Sequence, residues 1–147
     1  MGFITTLYKL LRSKYAICGV PAIIINDKGE ILLGKRSKEA IYYVGYWGLP
    51  GGLPEYGEKM EEAIKRELKE ELGVEVTEVK RGKNVYERLP NKECNFHGID
   101  IPHYCKINQQ PQPKDETSEV RWFKPSEIRG MELAYLHKEI LIGEKVI

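Results

Sequence analysis

Between Gly52 and Val74 the chain reads GLPEYGEKMEEAIKRELKEELGV, a stretch crowded with glutamates. Drawn as a helix at about 100° per residue from Met60, it places Ile64, Leu68 and Leu72 at about 40°, 80° and 120°, an apolar stripe. Lys65, Lys69 and Glu62 fall at about 140–200°, with Glu61 beside them, on a face suited to water. Glu67, Glu70 and Glu71 fall at about −20°, −80° and +20°, bordering the apolar stripe instead of opposing it. Glu67 and Glu71 are like charges at i,i+4, which costs a helix about a few tenths of a kcal/mol. Three carboxylates crowded at a core edge call for a cation, and oxygen-only donors select a hard one, Mg²⁺ or Mn²⁺.

The residues ahead of the glutamates suit the same chemistry. Gly51 and Gly52 let the backbone approach a ligand and offer a carbonyl as a further metal donor. A glycine turn running into a helix N-terminus also suits anionic groups. Taken alone, Pro50-Gly51-Gly52 reads more simply as a plain turn. Arg36 could hold a phosphate through a bidentate contact, or end a strand at the surface. Tyr42, Tyr43, Tyr46 and Trp47 cluster just upstream. Tyr46 is the candidate for stacking on a nucleobase, and Trp47 reads as core.

These residues need a scaffold. Ile17 to Asn26 is a β-branched run and Ile31 to Lys35 a second strand, expected to form a hairpin about the turn Asp27 to Glu30. Ser37 to Gly45 is a loop, and Trp47 to Gly52 a short strand ending in glycines. The helix is expected over Glu58 to Leu72, with Gly73 where a C-cap glycine belongs. Val74 to Tyr86, Gly98 to Asn108 and Val120 to Phe123 read as strands, and Gln109 to Lys114 as a loop. Pro125 to Ile128 reads as a turn or short helix, Leu133 to Ile142 as a terminal helix, and residues 3–13 as a short helix. This mixed order specifies an α+β domain.

The chain has 147 residues, 31% charged and 41% hydrophobic, with a net charge of +1. That is one globular domain, residues 1–147, with no global field toward nucleic acid or anionic lipid. No apolar run is long enough for a membrane span. MGFITTLYKLLRSKY lacks the apolar core of a signal peptide, and MGFITT fits only the loose pattern for N-myristoylation. Three cysteines, Cys18, Cys94 and Cys105, suggest reduced thiols and a cytoplasmic home. Cys94, His97, His103 and Cys105 are spaced unlike common zinc sets, and polar strand residues are the simpler reading.

From Gly52, through Glu58, to Arg66-Glu67-Leu68-Lys69-Glu70-Glu71-Leu72-Gly73-Val74, the chain matches every fixed position of the Nudix box, G-x5-E-x7-R-E-U-x-E-E-x-G-U, where U is a bulky aliphatic. LLGKR at 32–36, WGLPGG before the box and DETSEVRWF after it extend the likeness, so the chain resembles a Nudix (MutT-like) hydrolase. The resemblance implies an α/β/α sandwich with a mixed β-sheet that cleaves the pyrophosphate of a nucleoside diphosphate linked to X, a nucleotide sugar or a (d)NTP. It also implies Mg²⁺ or Mn²⁺ on Glu70 and Glu71, assisted by the Gly51 or Gly52 carbonyl. Glu67 resembles a further ligand or the general base, Arg66 the arginine that orients a box glutamate, and Glu58 a lesser metal or substrate-side group. Many members add an acid from a late loop. Glu116 is the candidate here, with Asp115 and Glu119 as rivals.

EILLGKR, GYWGLPGG and HGIDIPHY are similar to the GDP-mannose mannosyl hydrolase branch. That branch has a degraded box and a histidine where this chain has Thr117 and Ser118, so attack at phosphorus is expected. The expected partner is a small nucleotide, with no membrane and no stable nucleic acid, and a homodimer is left open. A catalytically silent nucleotide-binding module is the alternative, and an intact three-carboxylate box argues against it.

Overall fold

A computed structural model describes residues 14–147; the helix expected over 3–13 lies outside the described residues. Among the described residues nine strands and three helices follow one another: β1 (Ile17–Ile23), β2 (Ile31–Arg36), β3 (Trp47–Gly48), β4 (Gly51–Gly52), α1 (Met60–Leu72), β5 (Val76–Arg81), β6 (Tyr86–Arg88), β7 (Gly98–Asp100), β8 (His103–Ile107), β9 (Thr117–Phe123), α2 (Pro125–Arg129) and α3 (His137–Gly143).

Strand β1 is the spine of the larger sheet. It runs parallel to β7 at Ile17–Gly19 and parallel to β8 at Ala22–Ile23. It meets β4 antiparallel at Val20–Pro21. β6 and β5 complete the sheet on β7 and β8. A second sheet has β2 between β3 and β9. The expected β1–β2 hairpin is therefore corrected. The turn exists, with Asn26 donating to the Glu30 carbonyl at 3.0 Å, but pairing stops at an Ile25–Ile31 bridge and the two strands enter different sheets.

Two long strand expectations are also each divided in two. Pro102 has no N–H, and the chain breaks between Asp100 and His103. The partner breaks over Gly82 to Val85, where the Gly82 N–H goes to the Pro102 carbonyl at 2.8 Å. The terminal helix starts at His137, later than Leu133, because Leu133 and Ala134 pair with Trp47 instead.

Alternation along β1 and β2 separates two cores. Val20, Ala22, Ile24 and Leu32 pack under Ile64, Leu68 and Leu72 of α1. Ile23, Ile31 and Leu33 pack with Phe123 and with Ile128, Ile140 and Leu141 of α2 and α3. The result is the expected α/β/α sandwich with a mixed sheet. α1 begins one turn-half later than read, at Met60, with Glu62 accepting from the Lys59 N–H at 3.1 Å. It ends on Gly73 at φ +67°, where the glycine N–H donates to Lys69 O at 3.0 Å. Among the described residues no helix is long and apolar enough to cross a membrane. The three cysteines are free.

Candidate functional site

A cleft of about 980 Å³ opens where β1, β4 and the second sheet meet the start of the box. Its floor includes Gly19, Gly51 and Gly52, and its walls carry Glu67, Glu70, Glu71, Arg36 and Glu116. Glycine is required at this corner for steric reasons. Gly51 sits at φ +130°, a conformation open to few other residues, and a Cβ there would strike the Val20 carbonyl. A Cβ on Gly52 would occupy the space of the Glu67 carboxylate. A short turn thus brings β4 against the helix face that the wheel singled out.

The three box glutamates differ in environment. Glu71 points under the glycine corner and accepts from the Gly51 N–H at 3.1 Å. Burial pushes its carboxyl up to about 8; the Gly51 N–H and Arg36 oppose this, while Glu67 and Glu116 reinforce it. Burial also raises Glu67, against the lowering pull of Arg66. Glu70 is exposed and reaches Arg66 at 3.3 Å.

Arg66 clasps the cluster. It donates to both Glu58 oxygens at 2.9 Å, to Glu67 at 3.0 Å and to the Leu53 carbonyl at 3.1 Å. This holds Glu58 at about 2, well below the usual carboxylate range, and raises Arg66 further. Glu58 itself accepts from the Glu55 N–H at 2.8 Å and is not part of the cleft wall. It orders the loop between β4 and α1.

The late loop reaches the site through the end of α1. Gln112 and Lys114 donate to the Leu72 and Glu71 carbonyls, both at 2.9 Å, capping backbone groups the helix leaves unpaired. The Glu116 carbonyl then accepts from Ser37 at 2.7 Å. Of the three rival acids, Glu116 and Asp115 line the cleft, whereas Glu119 pairs with Lys35 at 3.4 Å outside it.

Arg36 lines the cleft too. Its Nε donates to the Tyr42 carbonyl at 2.7 Å and its guanidinium lies over the Tyr135 ring, 5.2 Å from the centroid. Tyr46 is elsewhere, in a smaller hollow of about 440 Å³ with Tyr43 and Lys138. Trp47 packs edge-on against Phe123, as the core reading had it. The four residues read against zinc go to separate partners. Arg88 donates to Cys94 Sγ, His97 pairs with Glu87, His103 bonds the Ile101 carbonyl, and Cys105 is in the α1 core.

Among the cleft residues that sequence reasoning missed are His137 and Asp100. His137 fills the room left by Gly48, and its Nδ1 accepts from the Leu49 N–H at 2.9 Å. Burial lowers it to about 3, so it is a neutral acceptor that steadies the chain just before Gly51. Asp100, at the end of β7, also faces the cleft. Its signal was slight: one acid inside HGIDIPHY.

Donor chemistry allows a hard cation at this corner. The donors are all oxygens, two of the carboxyls are raised by burial, and glycine backbone lies against them. In the conformation described, Arg66 pairs with Glu67 and Glu70, and no three His, Cys, Asp or Glu side chains among the described residues stand at ligand spacing.

Residues 18–141 match the model of the NUDIX domain. An ADP-ribose pyrophosphatase of Methanocaldococcus jannaschii is 33% identical over 133 residues, 87% of this chain and 75% of that protein. A nucleoside triphosphatase NudI of Enterobacter sp. (strain 638) is 42% identical over 72 residues, and the match spans 48% of each chain, so about half of that relative's length is covered. Among solved structures, the MutT protein of Methanosarcina mazei Go1 superposes with a TM-score of 0.78 at 27% identity, over 90% of this chain and 94% of that one. With its box on a helix against a glycine corner, the fold that corner requires, and a family match over most of its length, the chain belongs to the Nudix hydrolase family.

Proposed function

We propose that the chain hydrolyses the pyrophosphate link of a nucleoside diphosphate joined to X, with Mg²⁺ or Mn²⁺ as cofactor. One observation carries this reading: Glu67 and Glu71 line a large cleft with carboxyls raised by burial, and the positive groups and backbone N–H donors around them do not offset it. Glu70, Glu71 and the Gly51 or Gly52 carbonyl would hold the cation, with Glu116 completing the set once Arg66 releases Glu70. When bound, the cation neutralises the diphosphate and acidifies water.

The remaining roles belong to the chain. Arg36, backed by the Tyr135 ring, directs positive charge into the cleft toward a phosphate oxygen. Glu67, raised by burial, takes the proton of the attacking water at its carboxylate. Arg66 sets the rotamers of Glu67 and Glu70. His137, through Leu49, keeps the Gly51–Gly52 backbone in place. The names of the relatives support two substrate classes, ADP-ribose-type nucleotide sugars and nucleoside triphosphates. Attack at phosphorus suits both.

The test is phosphate or nucleotide release from ADP-ribose, other nucleotide sugars and (d)NTPs, with Mg²⁺, with Mn²⁺ and with chelator. Turnover of one class that vanishes with chelator and in Glu71→Gln supports the proposal. Nucleotide binding without turnover across the panel would indicate a silent module instead.

A further inference from the structure

Two glycines on the cleft floor each leave room for a carboxylate. Gly52 makes room for Glu67, which the box explains. Gly19 makes room for Asp100, which it does not. Gly19 and Asp100 are paired across the parallel β1–β7 contact, and a Cβ on Gly19 would run into Asp100 Oδ1. The same point lies 4.0 Å from the Gly52 carbonyl oxygen. Asp100 is therefore one strand away from the proposed metal corner, on the wall of the same cleft.

This carboxylate lacks a mate. Among the described residues, no hydrogen bond or ion pair reaches its oxygens. Arg88, the nearby cation, spends its donors on the Leu89, Cys94 and Phe96 carbonyls and on Cys94 Sγ. It supplies only a field that partly offsets the burial raising Asp100 to about 6. A recessed acid facing a cavity without a donor is an acceptor waiting for one.

We infer that Asp100 accepts hydrogen bonds from the vicinal hydroxyls of the pentose attached to the diphosphate, and that the site thereby favours ribose over 2′-deoxyribose. This rests on the hydrolase reading above. The position selects the donor. A phosphate at the Gly51–Gly52 corner puts its own sugar next along the chain of bonds, and the base beyond it. A carboxylate one strand from that corner meets the sugar first. A cis diol offers two O–H donors to two carboxylate oxygens, a charge-assisted match that a deoxy sugar halves.

The experiment compares kcat/KM for ribo-, 2′-deoxy- and 3′-deoxynucleoside triphosphates of one base, for wild type, Asp100→Ala and Gly19→Ala. Gly19→Ala keeps the acid but drives it from its place, and it covers the case where Asp100→Ala does not fold. Mg²⁺-dependent binding of methylene-bridged ribo and deoxy analogues is measured alongside. Wild type should favour ribose roughly ten- to a hundredfold, the scale of a hydrogen bond to a charged group. Both variants should bring the ratio to about one. Equal use of both sugars by wild type would overturn the inference. So would a ratio untouched in the variants, or a change confined to base preference. If no triphosphate turns over, the hydrolase reading fails for that class on its own, and the binding ratio still decides the role of Asp100.

Discussion

Two recessed glutamates of this chain, Glu71 and Glu144, have opposite fortunes. Glu144, only 5% exposed at the end of α3, accepts from the Lys83 and Asn84 backbone N–H groups at 3.0–3.1 Å and from the Tyr86 and Tyr104 hydroxyls at 3.3 Å. Burial presses upward on it, but those donors outweigh burial and hold it below the usual carboxylate range. Glu71 has one N–H and acidic neighbours, and stands at about 8. The satisfied acid ties the C-terminal helix to the larger sheet. The unsatisfied one faces a cleft. Both are glutamates on which burial presses upward; what separates a structural acid from a candidate catalytic one is whether the fold supplies its donors.

The contrast can be broken at either end. Glu71→Gln should lower metal-dependent kcat roughly a thousandfold while the circular dichroism spectrum stays that of the wild type. A variant near full activity would remove Glu71 from the cation site. Glu144→Ala should do the reverse, since it strands two backbone N–H groups and two hydroxyls. Urea unfolding should show a loss of about 2–4 kcal/mol, with kcat/KM at low temperature within about threefold of wild type.

The pH dependence of stability sharpens the difference. Glu71 is raised, so its folded-state advantage is complete below the ordinary carboxyl value of 4.5 and is lost as pH rises through about 8. Glu144 is lowered, so its contribution is present above the ordinary value and is lost as pH falls through its folded-state value. Urea midpoints with chelator should therefore decline at both ends, and Glu71→Gln should flatten only the alkaline decline. The smallest effect belongs to a surface pair that neither acid touches: Glu119→Gln should change stability by less than about 0.5 kcal/mol, because Glu119 is exposed and its 3.4 Å pair with Lys35 is reached by solvent.

The helix and its acidic edge were legible because both are local. A 3.6-residue period sorts Leu68 from Lys69 and isolates Glu67, Glu70 and Glu71 without reference to anything else. The layers came from the resemblance carried by the box, not from the strands themselves. What the sequence hid depends on distant pairing. Nothing local says that β1 and β2 part after the Ile25–Ile31 bridge, since a turn such as Asp27 to Glu30 suits either outcome. Asp100 gains its setting only from Gly19, and His137 only from Gly48 and Leu49. Tyr46 looked like a cleft residue by proximity in the chain, yet the Tyr43–Tyr46 turn directs it to the smaller hollow.

The arrangement of β1 also sets an order of assembly. Glu67 meets Gly52 across a short loop, so the acidic corner closes early and at small entropic cost. Asp100 meets Gly19 only when β7 finds β1 in parallel, across most of the chain between them. Such distant pairings slow folding. The box part of the cation corner is thus built from neighbours, while Glu116 and the wall proposed to choose the sugar wait for long-range contacts.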